Sequence, residues 1–511
     1  MKRVVIIGGG ISGLAAAHRI RERSDSGSVH LTLLEAGPQV GGLVQTEERN
    51  GFLLEHGPDS FISEKPQALR LAKRLGLESH LIETNPDHRR SFIVRKGRLL
   101  PVPDGFQLMV PSRLWPFVTS NIFSWPGKVR MALDLVLPRS RHNGNARGET
   151  EDESLADFVR RRLGSEALER MAQPMIGGIY TADPEKLSLR ATMPRFLEME
   201  REHRSLIRAL WKQGRNLRAK QTERRGNAPS GTSGARYSLF LSFDRGMQLL
   251  TDKLAERIAR PEVTRQEQRA GADVGNRLQT GERADELVQL NTRVESLRLI
   301  RSEEGSRWQI KTNRAEEIAA DAICLALPAH ASAKLLGNID NSLANELDGI
   351  SYASSATLSL AYKRADIPHP LDGFGFVVPF LENRSLIACT FSSVKFAGRA
   401  PEGHVLLRAF IGGALQPEML ELDDDKLTAR VCEDLRDLMG IQAAPLFSVL
   451  SRWEGSMPQY DVGHLDRIRR INQSAEKFSG LTLAGNAYGG PGLPDCIRSG
   501  EEAADRLIGH Q

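Results

Sequence analysis

The distribution of apolar residues at the start of the chain predicts a strand, a tight turn and a helix in direct succession. The apolar run at residues 4–7 is followed by glycines, and a helical pattern begins near Leu14. A second apolar run, at residues 30–34, ends at Glu35. A strand, a helix and a strand in this order are typical of a parallel α/β sheet.

The pattern changes twice in the middle of the chain. Residues 91–100 suggest a pair of strands, and residues 105–225 are mainly helical. The segments 213–235 and 260–286 are strongly polar, which predicts flexible loops. Strand patterns then return at residues 292–297, 308–312, 322–328, 357–362, 405–410 and 481–484, and a helix closes the chain.

Composition narrows the class of protein. The chain has 511 residues, of which 40% are hydrophobic and 26% are charged, as in ordinary globular proteins with two or three domains. No stretch has the roughly 18 uninterrupted apolar residues that a membrane-spanning helix requires. The first apolar run is too short for a signal peptide, so we expect a cytoplasmic protein.

Charge and cysteine usage argue against two kinds of site. The 69 basic residues nearly balance the 64 acidic ones, and the net charge of +5 indicates a surface that favours anions rather than a nucleic-acid-binding protein. The cysteines, which are Cys324, Cys389, Cys432 and Cys496, form no C-x-x-C pair. We therefore expect reduced and mostly buried thiols, no disulfide framework and no metal site.

The first glycine turn has the pattern of a dinucleotide site. Gly8, Gly10 and Gly13 form a G-x-G-x-x-G motif between a strand and a helix, where glycines allow a tight turn and close approach of a pyrophosphate. The start of the helix offers unpaired N–H groups to that anion. Glu35 follows Gly13 by 22 residues, and a carboxylate there can bind both hydroxyls of a ribose. The alternative for Glu35 is a solvated residue at a strand end.

Further glycine turns narrow the choice of dinucleotide. Residues 41–42 and 56–58 follow Glu35, and nicotinamide enzymes need no such turns. At the far end, a strand leads through glycines at 485, 489, 490 and 492 to a helix start. These segments together resemble the FAD proteins of the amine-oxidase and phytoene-desaturase group. No second G-x-G-x-x-G motif occurs, so we expect no separate NAD(P) site.

Within that group the chain resembles the oxygen-dependent protoporphyrinogen oxidase family, including its coproporphyrinogen-oxidising bacterial branch, over nearly its full length. The segments that carry the resemblance are residues 173–188, 373–379, 398–401 and 489–497. The resemblance implies a six-electron oxidation of a porphyrinogen to a porphyrin in haem biosynthesis, with hydride passing to flavin N5 and O2 reduced to H2O2. Such a reaction depends on positioning, so no catalytic acid or base is expected.

The resemblance also implies which residues bind FAD. Backbone N–H groups at the start of the last helix would face flavin O2 and N1, where negative charge gathers when the flavin is reduced. The residues assigned to the cofactor in this way are Gly8, Gly10, Ile11, Ser12, Gly13, Glu35, Ala36, Gly41, Gly42, Leu43, His56, Gly57, Pro58, Val294, Trp453, Gly485, Gly492, Leu493, Cys496 and Ile497.

The same resemblance implies a substrate wall and raises a question about its anchor. Family members often carry an arginine just before the strand at Phe92, where a propionate binds; here Ser91 stands in that place, with Arg90 and Arg95 beside it. The propionate anchor and the choice between protoporphyrinogen and coproporphyrinogen therefore stay open. The wall residues, each of which could equally be ordinary core, are Gly177, Gly178, Phe374, Phe376 and Phe391.

These features predict an α/β fold with a Rossmann-like FAD-binding domain in discontinuous segments, an inserted mixed-sheet substrate domain and a mainly helical subdomain. Residues 108–126 contain two tryptophans and one charge, which suits contact with the inner face of a membrane as well as a packed helical corner. The predicted bounds are 1–95, 236–330 and 450–511 for the FAD-binding domain, 96–235 for the helical subdomain and 331–449 for the substrate domain.

The sequence leaves other partners and functions as alternatives to a porphyrinogen oxidase. A homodimer and hand-over of the product to the next haem-pathway enzyme are compatible with the resemblance. A flavin amine oxidase or carotenoid desaturase of the same fold is the nearest alternative, and Trp453, Tyr460 and Tyr488 are candidates for an amine-binding aromatic cage. A non-catalytic flavin- or haem-binding partner protein is an alternative of another class.

Overall fold

The computed structural model of the protein describes residues 1–25, 27–107, 109–139, 152–223, 240–259, 287–302 and 305–509. Its strands, in chain order, are β1 (Lys2–Ile7), β2 (Val29–Leu34), β3 (Thr46–Arg49), β4 (Phe52–Glu55), β5 (Phe61–Ile62), β6 (Leu81–Glu83), β7 (Phe92–Arg95), β8 (Arg98–Pro101), β9 (Phe106–Gln107), β10 (Val110–Pro111), β11 (Phe240–Phe243), β12 (Val288–Gln289), β13 (Val294–Ser302), β14 (Gly305–Thr312), β15 (Glu317–Ala320), β16 (Ala322–Leu325), β17 (Tyr352–Lys363), β18 (Gly375–Val377), β19 (Leu386–Phe391), β20 (His404–Gly412), β21 (Phe447–Pro458) and β22 (Leu481–Leu483).

The α-helices, in the same order, are α1 (Ile11–Arg23), α2 (Gln67–Arg74), α3 (Leu114–Thr119), α4 (Trp125–Ala132), α5 (Leu155–Arg162), α6 (Ser165–Ala167), α7 (Gln173–Tyr180), α8 (Leu189–Thr192), α9 (Pro194–His203), α10 (Leu206–Glu223), α11 (Gln248–Ala259), α12 (Ala329–Leu336), α13 (Asn341–Asp348), α14 (Ser392–Lys395), α15 (Asp424–Met439), α16 (His464–Ala475), α17 (Asn486–Gly489) and α18 (Leu493–Ile508).

A parallel sheet with the strand order β12-β2-β1-β16-β22 carries the glycine motifs. Strands β1 and β2 pair along their whole length, so both end at the same edge. Val4 and Ile6 pack against α1, α11 and α18 on one face, whereas Val5 and Ile7 pack against α12, α13 and α16 on the other. Burial on both faces explains why the first strand is a continuous apolar run.

A second sheet, with the order β21-β17-β20-β19-β18-β7-β8, forms another layer. Its strands are antiparallel except for the pair β18 and β7. Alternate residues, among them Leu358 and Leu407, pack with α15 into a core on one face. The opposite face is turned towards the glycine turns and the helical region.

The helices α3 to α10 enclose a core of their own, which contains a buried ion pair. Arg162 Nε donates to Asp134 Oδ1 at 2.8 Å. Asp134 Oδ2 accepts from the hydroxyl of Ser205 at 2.7 Å and from the N–H of Ile207 at 3.1 Å. Because both charges are paired and hydrogen-bonded, they can remain buried and tie α5 to the start of α10.

The predicted fold class is confirmed, but two of the domain bounds cut through a sheet. Residues 92–95 and 98–101 form one edge of the seven-stranded sheet, and residues 447–458 form the other. The predicted bounds instead put 92–95 and 450–458 with the FAD-binding domain and 98–101 with the helical subdomain. The apolar pattern predicts the strand pair at residues 91–100 but not the strand at 447–458, and it does not indicate which strand lies next to either segment in the sheet. The remaining division into domains stays a prediction.

One of the two predicted loops begins as a helix. Residues 213–223 continue α10 instead of forming a loop, because Arg, Lys and Gln are good helix formers despite their polarity. The rest of that segment and residues 260–286 lie outside the described residues, as does Leu108. Among the helices described here, none has the length and apolar content needed to cross a bilayer.

Removal of the buried guanidinium is expected to destabilise the helical region. Arg162→Met leaves Asp134 charged and buried, which costs about 3–5 kcal/mol, and urea titration should show a lower midpoint. Arg160→Met is the matched control, since Arg160 pairs with Glu185 on the surface and such pairs contribute below about 1 kcal/mol. Equal losses in the two variants would contradict the structural role of Arg162.

Candidate cofactor and substrate site

The first glycine turn joins β1 to α1 and leaves an open space at the start of the helix. A Cβ on Gly13 would lie 1.9 Å from the carbonyl oxygen of Gly8, so glycine is required there. A Cβ on Gly10 would meet no atom within 4 Å. Gly10 is the N-cap of α1, and no side chain caps this helix. The free N–H groups at this opening suit a pyrophosphate.

The other glycine turns lie against the first one. Gly41 donates its backbone N–H to the first turn at 2.8 Å, and a Cβ on Gly42 would be 3.3 Å from the Cα of Gly10. A Cβ on Gly57 would lie 1.7 Å from the carbonyl oxygen of Leu43. The three turns therefore form one continuous surface, although they are far apart in the sequence.

Glu35 lies beside the first turn at the end of β2. Its carboxylate accepts the N–H of Gly9 at 2.6 Å and the N–H of Gly37 at 2.7 Å. Each oxygen keeps a second lone pair for a ribose hydroxyl. Thr292 donates its N–H to the carbonyl oxygen of Glu35 at 2.8 Å, which brings the start of β13 at Val294 alongside.

The two ends of the chain meet at the starts of α1 and α18. Ser12 donates its hydroxyl to the carbonyl oxygen of Cys496 at 3.0 Å, and a Cβ on Gly500 would lie 2.1 Å from the carbonyl oxygen of Ser12. Gly492 is the N-cap of α18, again without a side-chain cap. Burial raises the pKa of the Cys496 thiol to about 12, so the thiol stays protonated.

Three strands of the seven-stranded sheet hold the turn at residues 56–58 by hydrogen bonds to the carbonyl group of His56. The oxygen of His56 accepts hydrogen bonds from Thr357 Oγ1 at 3.1 Å, Trp453 Nε1 at 3.0 Å and Arg408 Nη2 at 3.0 Å. These donors lie on β17, β21 and β20. Ser451 Oγ also lies 2.6 Å from the ring Nδ1 of His56. We call Thr357, Trp453 and Arg408 the His56 clamp, because they join the cofactor turn to the sheet.

Buried charges surround the clamp. Burial opposes ionisation of Asp59, but Lys395, at 2.8 Å, and Arg408 hold the pKa of this carboxyl below its usual value. Burial raises the pKa of Glu55 to about 7, so this carboxyl is partly neutral near pH 7. Lys395, Arg399 and Arg408 therefore leave a surplus of positive charge, which favours a cofactor that becomes negative when reduced.

Apolar residues on neighbouring strands continue this face of the sheet outward from the clamp. Phe410 pairs with Thr357 of the clamp, so the set begins at the cofactor turn. Helix α7 covers its middle, since a Cβ on Gly178 would lie 3.9 Å from Val377 Cγ1. We call this set the apolar row; its paired members are, in order, Phe410, Ala388, Val377, Ile93 and Leu100.

The structure separates the residues predicted for the substrate wall. Gly178 lies against the apolar row, and Gly177 is buried next to it on α7. Phe376 and Phe391 point to the opposite face, where their rings are 6.1 Å apart in the core with α15. Phe374 is buried just before β18. Phe376 and Phe391 are therefore core residues rather than wall residues, because side chains of a strand alternate between its two faces.

The two arginines predicted as carboxylate anchors differ in their surroundings. Arg90 forms an ion pair with Asp372 at 3.0 Å and is largely exposed. Arg95 lies two residues beyond Ile93, on the same face as the apolar row. Its Nε is buried and has no hydrogen-bond partner in the part of the chain that the structure describes. Arg95 is therefore the better placed of the two to receive an anion.

The three aromatic residues considered for an amine cage do not converge. Trp453 belongs to the His56 clamp. Tyr460 packs in the core of the helical region, with its ring stacked on His464 at 4.1 Å. Tyr488 packs beside the parallel sheet in a different core. This arrangement gives no support to an amine-binding cage built from these residues.

The residues predicted for the cofactor thus provide what a dinucleotide requires. An open space faces the start of α1, Glu35 lies beside it, and the uncapped start of α18 lies next to α1. An FAD molecule fits this donor set; in the predicted assignment the pyrophosphate would lie at residues 10–13, the ribose at Glu35 and the flavin towards α18 and the turn at 56–58. The fold and site define a dinucleotide-binding protein whose second sheet adjoins the glycine turns.

Comparison with known proteins gives the family. Residues 11–508 match the family described as flavin containing amine oxidoreductase. The coproporphyrinogen III oxidase of Bacillus subtilis (strain 168) is 33% identical to the chain, and the alignment covers 99% of the chain and 98% of that protein. The coproporphyrinogen III oxidase of Propionibacterium freudenreichii subsp. freudenreichii is 35% identical, and the alignment covers 99% of the chain and 90% of that protein. A solved structure from Exiguobacterium sp. 255-15 has a TM-score of 0.80 and 29% identity, with 99% of both chains covered. The chain belongs to the flavin-containing amine oxidoreductase family, and FAD is its cofactor.

Glu35→Ala is expected to weaken FAD retention with little effect on the fold. Hydrogen bonds to a charged group contribute about 1.5–3 kcal/mol each, so the dissociation constant for FAD should rise by roughly 100-fold or more. The flavin absorbance of purified protein and fluorescence titration of the apoprotein measure this change. Glu48→Ala, at an exposed position on β3, is the control; the ribose assignment fails when both variants retain equal flavin.

Proposed function

We propose that this chain oxidises a porphyrinogen to the porphyrin and that coproporphyrinogen III is its preferred substrate. The observation that carries the proposal is the similarity, over 99% of the chain, to two enzymes named coproporphyrinogen III oxidase. The geometry supports the same class of substrate, because the apolar row begins at the cofactor turn with the half-buried ring of Phe410. Farther out, Val377, Ile93 and Leu100 pack against the helical core.

The wall accounts for most of the affinity in this proposal. A tetrapyrrole buries several hundred square ångströms of apolar surface, which at about 25 cal/mol per Å² contributes roughly 10 kcal/mol before the costs of binding. A guanidinium–carboxylate contact contributes about 1.5–3 kcal/mol. The apolar row therefore holds the macrocycle, and arginines set its orientation.

In this proposal, the residues of the chain hold the cofactor and the substrate in fixed positions relative to each other. When bound, FAD supplies the acceptor for hydride from a carbon of the macrocycle, and O2 is the proposed final oxidant of a six-electron reaction. Phe410 supports one face of the substrate beside the cofactor turn, and farther out Gly178 on α7 packs close to Val377. The His56 clamp keeps the cofactor turn at a constant place relative to that wall. Holding the reacting atoms in fixed positions is enough to lower the barrier without a protein acid or base.

Steady-state assays on the purified holoenzyme test the proposal. Coproporphyrinogen III should give porphyrin fluorescence and peroxide at a higher kcat/KM than protoporphyrinogen IX, and putrescine or spermidine should give neither signal. Turnover of a polyamine alone would contradict the proposal and favour the amine-oxidase alternative. Bound FAD without turnover of any of these compounds would favour the non-catalytic alternative.

We also propose that an apolar stripe on α3, α4 and the residues directly after α4 meets an anionic membrane surface. Trp115 is 76% exposed and Trp125 is 67% exposed, and Lys128 Nζ lies 4.5 Å from the ring of Trp125. Exposed tryptophans beside cations are typical of proteins that lie on an interface. The exposed stripe consists of Leu114, Trp115, Trp125, Val129, Leu133 and Val136.

Vesicle sedimentation tests the membrane proposal. Vesicles of phosphatidylcholine with phosphatidylglycerol should bind the native protein, and the double change Trp115→Ser and Trp125→Ser should reduce binding by about tenfold or more. Phe380→Ser removes an exposed aromatic ring outside the stripe and should leave binding unchanged. Equal binding by native protein and double variant would remove the stripe as the contact surface.

The remaining predictions concern the surroundings of the enzyme. O2 as electron acceptor, a cytoplasmic location, a homodimer and hand-over of the product stay predictions from the resemblance. None of them is needed for the geometry proposed for the substrate.

A further inference from the structure

Arginines flank the apolar row on two sides. Arg408 lies two residues before Phe410 on β20, and Arg95 lies two residues beyond Ile93 on β7, so both are on the face of the row. Arg98 lies directly opposite Arg95 on β8. Within the described ranges, none of these three guanidinium groups has a carboxylate within ion-pair distance.

Arg408 is buried and has one donor atom without a hydrogen-bond partner among the described residues. The residue is 3% exposed, and its guanidinium carbon lies 5.0 Å from the centre of the Phe410 ring. Nη2 donates to the carbonyl oxygens of His56 and Gly57, but the buried Nε has no hydrogen-bond partner among the described residues. A buried donor without a partner is costly, and a carboxylate of the substrate would supply that partner.

The residues that neighbour Arg408 on this face of the sheet are small or polar. Arg408 pairs with Ser359 on one side and with Thr390 on the other, and Thr390 pairs with Gly375. These small neighbours form a polar line beside the apolar row. The line leads towards Ser91, since Gly375 directly precedes Phe376, which pairs with Phe92.

The separation of the arginines suits a macrocycle with side chains on opposite edges. Arg408 and Arg95 are three strands apart and lie on opposite sides of the apolar row. Spacings of about 4.8 Å between strands and about 3.4 Å per residue place their Cα atoms roughly 20 Å apart. The guanidinium of Arg408 lies over the Phe410 ring, and the remaining span is comparable with a tetrapyrrole and its propionates.

We propose that Arg408 binds a carboxylate at the edge of the macrocycle nearest the cofactor and that Arg95 binds one at the opposite edge. This inference rests on the function proposed above and assigns the basis of its specificity. Coproporphyrinogen III carries a propionate on every pyrrole ring and can engage both arginines. Protoporphyrinogen IX carries propionates on two neighbouring rings only, so it engages Arg95 and leaves Arg408 without a partner.

Kinetics of arginine variants on both porphyrinogens test the assignment. Arg408→Met should lower kcat/KM for coproporphyrinogen III by about 10- to 100-fold, mainly through KM, and for protoporphyrinogen IX by less than about threefold. Arg95→Met should lower kcat/KM for both substrates. Arg408→Lys, which retains the charge, should recover at least about threefold of the loss on coproporphyrinogen III.

The control separates substrate binding from support of the cofactor turn. Arg399→Lys alters another buried arginine, whose donors go to Ser242 and Phe243, and should keep the native ratio between the two substrates. An equal loss on both substrates in an Arg408→Met protein with full FAD content would overturn the assignment, since Arg408 would then serve only the clamp. Where Arg408→Met does not retain FAD, the ratio measured for Arg408→Lys decides in the same way. Failure of the native enzyme on both porphyrinogens would instead refute the proposed function.

Discussion

The carbonyl oxygen of His56 is the point at which the cofactor surface and the substrate sheet become one structure. Donors from β17, β20 and β21 meet on this single acceptor. Hydrogen bonds of this kind contribute modestly one by one, but a buried donor that loses its partner is expensive. A shift of the turn would leave three donors without a partner at once, so its place relative to the apolar row is strongly constrained.

The cofactor surface itself depends on close contact between the two ends of the chain. Helices α1 and α18 touch where Gly500 faces the backbone of Ser12, and a side chain at Gly500 would collide with that backbone. Both helices start without a side-chain cap, so both present free N–H groups. A site assembled in this way requires the second sheet to be inserted between its parts. The same insertion places the apolar row next to the turn at residues 56–58.

The sequence was most informative where the chemistry is local. The glycine turns and Glu35 could be recognised because a tight turn, a helix start and a strand end lie within a few residues of one another. The residues of the substrate wall were harder to predict, since they depend on which face of each strand is turned towards the glycine turns. Phe376 and Val377 are neighbours in the chain, yet Phe376 lies in the core and Val377 in the apolar row. Their strand is apolar on both faces, so its pattern does not distinguish them.

Arg408 shows a second limit of the sequence. The residue lies within a strand of otherwise apolar pattern, and alternation puts it on the same face as Phe410. Only the fold reveals that this face meets the turn at His56. The pair formed by β7 and β8 was predicted from the sequence, but its place in the sheet depends on the pairing of Ile93 with Val377, far along the chain. The edge strand β21 was not among the predicted strands. Register over such separations carries no local signature.

Anaerobic titration tests most directly the central claim that one FAD, bound between the chain ends, receives electrons from a porphyrinogen on the apolar row. Stopped-flow mixing of the oxidised holoprotein with coproporphyrinogen III should bleach the flavin absorbance band as porphyrin absorbance appears. A flavin spectrum that stays oxidised in the presence of excess coproporphyrinogen III and protoporphyrinogen IX would contradict the account.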